Sequence, residues 1–348
     1  MIYAIAAIST IIIVELLIRY KFFLSIPNSR SLHIDKMPTS SGIALNFIVF
    51  FFFMSIGNYV MSLIVLSICA LGVLDDKYQI SQLARLIAQI IIASAVIPYL
   101  SPTSIFESTL LLFMFVYFFN SYNFMDGINL LAISQAIFIL LSVLILGALL
   151  DSSTTFSTSF ADNNLIISMI ISLSILAYYN KTPASIFLGS SGSYLLGFIL
   201  LAILLSWFDH FAHIVDLSLP VEKKIDGTHY FTLLILYTVF LVDTCYILIK
   251  KLLESEDSRL ISNHKDWFKI KIKKLTSPHK THNYQKMITL GMSHHKVVAL
   301  LMVYNVLWCL PLAIISIYYQ NLASFCLVLS CLPYIILCNR NRAGVTDV

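Results

Sequence analysis

Long apolar runs alternate with short polar stretches along the whole chain. They fall at about 2–20, 42–58, 60–74, 84–100, 105–119, 128–150, 164–179, 193–208, 229–248, 296–318 and 321–338. A helix needs about 20 predominantly apolar residues to cross a bilayer. These eleven segments therefore predict an all-α polytopic membrane protein with about 10–11 transmembrane helices. The first run is continuous and lacks a small-residue cleavage site, so it reads as a retained helix rather than a removable leader. No repeat at a fixed period divides the chain, and 1–348 reads as a single integral membrane domain.

Composition agrees with the pattern. Of the 348 residues 59% are hydrophobic and only 11% charged, against roughly 25% charged in a soluble domain. Where the charge lies adds an orientation. If the runs cross the membrane alternately, every Lys and Arg except Lys223 and Lys224 falls on one side. The positive-inside rule makes that side cytoplasmic, with the N-terminus outside and the C-terminus inside. The largest loop on that side, 249–295, is basic, and its stretch KDWFKIKIKKL alternates apolar and basic residues. It reads equally as a segment lying on anionic headgroups or as a solvated loop. The six cysteines sit in or beside apolar runs without a C-x-x-C spacing, as small buried hydrophobes do. No nucleic-acid partner is expected.

The same topology gathers the unusual polar clusters on one face. Asp75 and Asp76 end an apolar run, and Asp126 ends another within Asn120-x-x-Asn123-x-x-Asp126-Gly127. A lone acidic pair at a helix end is often plain solvated termination. Carboxylates at two membrane rims are costly and point to a site. Such acids suit a hard divalent cation. Mg²⁺ commonly takes one or two protein carboxylates and completes its shell with phosphates and water, and Mn²⁺ accepts the same donors. Arg30, His33, Lys36, Arg85, His279, Lys280 and His282 share the face and supply phosphate-neutralising charge. His279 and His282 are three apart, but no matching Cys or His pair stands elsewhere to complete a zinc site, which favours phosphate or sugar contacts. Gly189-Ser190-Ser191-Gly192-Ser193 opens a run, where backbone N–H groups of a helix N-terminus favour an anion.

Taken in order, these stretches resemble the polyprenyl-phosphate N-acetylhexosamine-1-phosphate transferases over about residues 20 to 300. LGVLDDKYQISQLARLIAQ resembles the family's Gly-x-x-Asp-Asp segment with its following Arg and Gln, here Arg85 and Gln89. NSYNFMDGINLLA is similar to its Asn-x-x-Asn-Phe-Met-Asp-Gly segment. YYNKTPASIFLGSSGSYLLGF resembles its Asn-x-x-Pro-Ala-x-x-Phe-x-Gly-Asp-x-Gly-Ser stretch. FLVDTCYILIKKL resembles the helix before the last cytoplasmic loop, and SPHKTHNYQKM with the following GMSHHKVV is similar to the His-Arg-Ser-His-x-Tyr-Gln form.

The resemblance implies a fold of membrane helices around a cytoplasmic cleft in the bacterial inner membrane. It implies transfer of a sugar 1-phosphate from a UDP-N-acetylhexosamine to undecaprenyl phosphate, releasing UMP and initiating a cell-envelope polysaccharide such as O-antigen or capsule. The bilayer and the two substrates are the implied partners, and a homodimer is compatible with it. Asp75 would be the base or lipid-phosphate-activating acid. Asp76 and Asp126 would hold Mg²⁺ or Mn²⁺. Asn129 and Phe187 would contact and stack uracil, and Asn123 and Asn180 would bond nucleotide or sugar. His279 and His282 would meet the diphosphate or sugar. Arg30, His33, Arg85, Asn120, Gly189, Ser190 and Lys280 complete the expected substrate-binding set.

Three positions depart from the family. Ser190 replaces the carboxylate of Gly-Asp-x-Gly-Ser, Pro38-Thr39-Ser40-Ser41-Gly42 replaces a Pro-Arg-Gly-Gly-like run, and Leu130 replaces a glycine. The first of these motivates a second reading, a member that keeps the fold and binds lipid carrier or partners without turnover. A transporter would place its polar groups at mid-membrane in broken helices, whereas these clusters lie at one rim.

Overall fold

The computed structural model of the protein describes residues 1–25, 36–100, 102, 104–150, 162–216, 229–253 and 281–345. All eleven apolar segments become helix. In chain order the helices are α1 (Ile2–Tyr20), α2 (Gly42–Ser55), α3 (Tyr59–Tyr78), α4 (Gln82–Val96), α5 (Ile105–Met125), α6 (Leu131–Leu150) and α7 (Asn163–Asn180). They continue with α8 (Gly189–Asp216), α9 (His229–Leu236), α10 (Thr238–Leu253), α11 (Asn283–Thr289), α12 (His294–Tyr304), α13 (Leu310–Tyr318) and α14 (Ala323–Arg340). A π-helical turn, Asn305–Cys309, joins α12 to α13. Among the described residues nine helical stretches are long and apolar enough to cross a membrane.

Two segments differ from the sequence pattern. With 14 residues, α2 is shorter than a full span. The 229–248 run is not one rod, because α9 and α10 meet at an angle of 88° at Tyr237. A break inside a membrane exposes a carbonyl that water cannot reach. Gln135 meets this need by donating from Nε2 to the Leu236 carbonyl at 3.1 Å, while Asn305 donates to Gln135 Oε1 at 2.7 Å. A hydrophobicity pattern cannot show such a bend, since both limbs are equally apolar.

The most deeply enclosed span is α8, with 83% of its apolar window buried. It packs against α2, α3 and α5. Helices in lipid gain little from apolar burial against one another, so close backbone approach decides their association. Two glycines permit it here. A Cβ on Gly42 would lie 2.1 Å from the Gly192 Cα, and one on Gly72 would lie 2.3 Å from the Ser191 Cα. Asn46 fastens the same joint, donating to the Gly42 carbonyl at 2.9 Å and the Ser191 carbonyl at 2.8 Å. The N-terminus of α8 is thus pinned beside the last turn of α3.

A small antiparallel clip, β1 (Leu24–Ser25) with β2 (Met37–Pro38), closes over the same end. The Phe187 N–H donates to the Pro38 carbonyl at 2.9 Å, and the Ser41 N–H to the Phe187 carbonyl at 3.1 Å. The chain before α2 is thereby laced to the chain before α8.

Candidate active site

Helix ends meet at this face. The last turns of α3 and α5, the first turns of α4, α8 and α12, and the loop after α7 line one cavity of about 710 Å³. Its wall includes Asp75, Asp76, Arg85, Asn123, Asp126, Asn129, Asn180, Phe187, Gly189 and Ser190 from the expected set. Apolar periodicity alone ends two helices too early. The α3 helix runs through Asp75 and Asp76, and α5 runs through Asn120 and Asn123, so these are helical side chains rather than loop ones.

Asp75 and Asp76 are adjacent, yet their surroundings differ. Asp75 is buried, and its Oδ2 takes the Arg85 guanidinium at 3.1 Å and the Tyr194 hydroxyl at 2.7 Å. Its charge is matched by the arginine. Asp76 instead faces the start of α8. Its Oδ1 accepts the Ser190 N–H at 2.9 Å, and its Oδ2 the Ser40 hydroxyl at 2.6 Å. Gly189 turns beneath it at φ 76, where a Cβ would lie 2.5 Å from Asp76 Oδ2. Glycine meets both demands at once.

Asp126 completes the acidic group at the C-cap of α5. Burial first, and then the neighbouring Asp76 charge, raise its carboxyl well above the usual carboxylate value of 3.8, opposed by a hydrogen bond from the Gly189 N–H. Two acids thus repel each other across the N-terminus of α8. A cation placed between them reverses that repulsion. The donors are hard oxygens, and each hydrogen-bonded carboxylate oxygen keeps a second lone pair. Among the described residues no three His, Cys, Asp or Glu side chains gather to hold a metal. A two-carboxylate site completed by phosphates and water is the arrangement that Mg²⁺ commonly takes, so the residues present fit it.

The loop after Asp126 is held by Asn180. Leu130 has a φ of 72, the left-handed region that disfavours branched side chains. Asn180 Oδ1 accepts the Leu130 N–H at 2.7 Å, while its Nδ2 donates to the Ile186 carbonyl at 3.1 Å. Asn180 therefore ties the Asp126 loop to the Phe187 loop as well as lining the cavity. Asn123 Oδ1 accepts from Ser193 at 3.1 Å.

Two expected residues lie elsewhere. Asn120 is not on the cavity wall. Its Nδ2 bridges α5 to α4 by donating to Gln89 Oε1 at 2.7 Å. His282 is buried away from the wall, with Nδ1 2.9 Å from Asp243 Oδ1. Asp243 also accepts from the Asn283 N–H at 3.1 Å, the Tyr284 N–H at 3.4 Å and the Tyr334 hydroxyl at 3.0 Å. It holds the start of α11 in place. Arg30, His33, His279, Lys280 and most of the 249–295 loop lie outside the described residues.

Sequence reasoning missed Ser40, Tyr194, Asp243 and His294. Ser40 and Tyr194 bond the two acids directly, and His294 lines the cavity. His294 stands in the GMSHHKVV stretch that carries part of the family resemblance, but no role was expected of it. Asp243 carried a signal, since an acid within an apolar run needs a partner.

Residues 58–208 match the model of glycosyl transferase family 4. A probable undecaprenyl-phosphate N-acetylglucosaminyl 1-phosphate transferase of Bacillus subtilis is 24% identical over 296 residues, covering 78% of this chain and 71% of that one. A putative UDP-N-acetylglucosamine–dolichyl-phosphate N-acetylglucosaminephosphotransferase of Saccharolobus solfataricus is 27% identical over 186 residues, covering 47% of this chain and 56% of that one. The matched family segment contains Asp75, Asp76, Asp126 and Ser190, all on the cavity wall. Over residues 58–208, the stretch that carries the cavity's acids, the chain is similar to glycosyl transferase family 4.

Proposed function

We propose that the protein transfers an N-acetylhexosamine 1-phosphate from a UDP-sugar to a polyprenyl phosphate, undecaprenyl phosphate in a bacterium, with release of UMP. The acceptor phosphate oxygen forms a bond to the sugar-bearing phosphorus as the bond from that phosphorus to the UMP oxygen breaks. One diphosphate linkage replaces another. The observation that carries this reading is the Asp76–Asp126 pair set across the start of α8, in one cavity with Arg85 and Lys77.

The reaction must bring anions together. Asp76 and Asp126 would hold Mg²⁺, or Mn²⁺, which supplies Lewis-acid neutralisation of the diphosphate. Arg85 and Lys77 add positive charge from the α3–α4 side. Asp75 keeps the guanidinium in place through its 3.1 Å contact. A phosphate second pKa near 6 leaves much of the acceptor dianionic at neutral pH, so positioning Arg85 suits Asp75 better than removing a proton. The first N–H groups of α8 are taken by the acids themselves, Gly189 by Asp126 and Ser190 by Asp76, which fixes both carboxylates at the start of the helix. The segregation of Lys and Arg supports a cavity opening to the cytoplasm, and the bilayer would deliver the acceptor. Initiation of a cell-envelope glycan is the role that such a product fits.

The test is a membrane assay with radiolabelled UDP-N-acetylhexosamine and undecaprenyl phosphate. Lipid-linked sugar phosphate plus UMP is expected, and Asp76→Asn and Asp126→Asn should abolish both. No product from the native chain, but product from Ser190→Asp, would favour the reading in which turnover has been lost. No product from either would overturn the transferase.

A further inference from the structure

A helix leaves its last four carbonyls without partners of its own. In α5 one of these belongs to Phe124, two residues before Asp126, and its partner comes from far along the chain. The Tyr284 hydroxyl, in the first turn of α11, donates to the Phe124 carbonyl at 2.8 Å. Gly127 lies against the same phenol. A Cβ there would lie 2.1 Å from the Tyr284 Oη and 3.0 Å from its Cζ. Asp126 thus stands between a residue that the hydroxyl bonds and a residue that leaves the hydroxyl room. The phenol is itself held. It is fully buried, and the Tyr284 N–H donates to Asp243 Oδ2 at 3.4 Å. The C-terminal residues close over the start of α11, with Asn341 Nδ2 donating to Asn283 Oδ1 at 2.8 Å and the Gly344 N–H to the Thr281 carbonyl at 2.9 Å.

We propose that Tyr284 is a positioning residue for Asp126, its hydroxyl fixing the end of α5 so that the carboxylate keeps its place beside Asp76. The proposal rests on the two-acid cation site of the transferase reading and deepens it. Asp126 is the C-cap, where the backbone leaves the helix. From one side the Gly189 N–H holds its carboxylate. From the other, Tyr284 holds the backbone that carries it. Two like charges brought together repel, and an unbraced helix end would relax by turning Asp126 away from Asp76. A brace on a rigid element prevents that relaxation and leaves the pair set for a cation. A ring kept only for packing would need no hydroxyl and no glycine beside it.

The experiment uses the full-length chain in detergent. Mn²⁺ alone is the probe, its binding read by electron paramagnetic resonance, and transfer is titrated with Mg²⁺. Tyr284→Phe keeps the ring and removes the hydroxyl. It should weaken Mn²⁺ about tenfold, the loss of one buried hydrogen bond. The Mg²⁺ concentration for half-maximal transfer should rise by a similar factor, and saturating Mg²⁺ should restore kcat. Tyr334→Phe is the comparison. It loses a hydrogen bond to Asp243 in the same cluster but none to α5, so its melting temperature should fall with Mn²⁺ affinity unchanged. Gly127→Ala should weaken Mn²⁺ at least tenfold. Adding Tyr284→Phe, which vacates the place of the clashing oxygen, should recover part of that loss. Native Mn²⁺ affinity in Tyr284→Phe, whatever its melting temperature, overturns the inference in favour of plain packing. Additive losses in the double variant overturn it too. A native chain that binds Mn²⁺ but makes no product overturns the transferase reading, and the Mn²⁺ measurements still decide this inference. A native chain that makes product yet binds no Mn²⁺ overturns the cation site and this inference with it.

Discussion

The Ser190 backbone N–H donates to Asp76 Oδ1 at 2.9 Å, which seats an acid from the end of α3 on the first turn of α8. Two helices distant in sequence thereby share one charge. The Gly72–Ser191 contact behind it fixes how far apart they stand.

That spacing gives the first prediction. A Cβ at position 72 would lie 2.3 Å from the Ser191 Cα, and a backbone cannot yield as a flexible side chain can. Gly72→Ala should push α3 from α8, cost about 1–3 kcal/mol as an overpacked joint does, and lower transfer at least tenfold. Gly57 is the control. Nothing lies within 4 Å of its Cβ position, so Gly57→Ala carries only the strain of a φ of 74, about 1 kcal/mol. It should retain activity. Melting temperatures and transfer rates of the two variants decide it.

The crowding of Asp76 and Asp126 gives a pH dependence. The folded-state value of Asp126 is raised above 3.8, so the folded protein binds this proton more tightly than the unfolded chain does. Stability from this group is therefore greatest at low pH. It is lost as pH climbs from about 4 through the raised value. In EDTA, Asp126→Asn should melt higher than the native protein at neutral pH, and the gap should close toward pH 4. Millimolar Mg²⁺ should narrow the neutral-pH gap by stabilising the native chain alone. A gap indifferent to both pH and Mg²⁺ would argue against a cation site at this pair.

Ser190→Asp adds a third carboxylate beside these two. Without metal it should lower the melting temperature, because like charges approach in a poorly hydrated setting. With metal the sign should reverse. Mn²⁺ affinity, read by electron paramagnetic resonance, should rise about tenfold or more, equivalent to about 1.4 kcal/mol. Equal Mn²⁺ binding by both chains would show that position 190 does not face the cation.

Asp243 gives a stability prediction independent of the cavity. It accepts hydrogen bonds from Asn283, Tyr284 and Tyr334 and pairs with His282. Asp243→Ala strands these groups in the interior and should cost about 3–5 kcal/mol, as breaking a buried pair does. Tyr334→Phe removes one donor to a charged acceptor and should cost about 1.5–3 kcal/mol. Thermal melts in detergent rank the two.

The sequence by itself determined the class of the molecule and much of its wall. Runs of about 20 apolar residues have few alternatives to membrane helices, because lipid offers the backbone no partner. The alternation of those runs carried Asp75, Asp126, Asn180 and Gly189 to one rim, and the structure joins them in one cavity. Only the tertiary structure decided which polar groups face that cavity and which serve the frame. Asn120 and Asn123 lie on one helix three residues apart, yet one bridges to Gln89 and the other meets Ser193. His282 turns to Asp243, while His294 lines the wall. The bend at Tyr237 and the left-handed Leu130 are equally silent in the pattern. Apolar periodicity records how each helix meets lipid and core. The partner of a polar atom is set by the angle and spacing of helices far apart in the chain, and those follow from glycine contacts and single hydrogen bonds that no local pattern encodes.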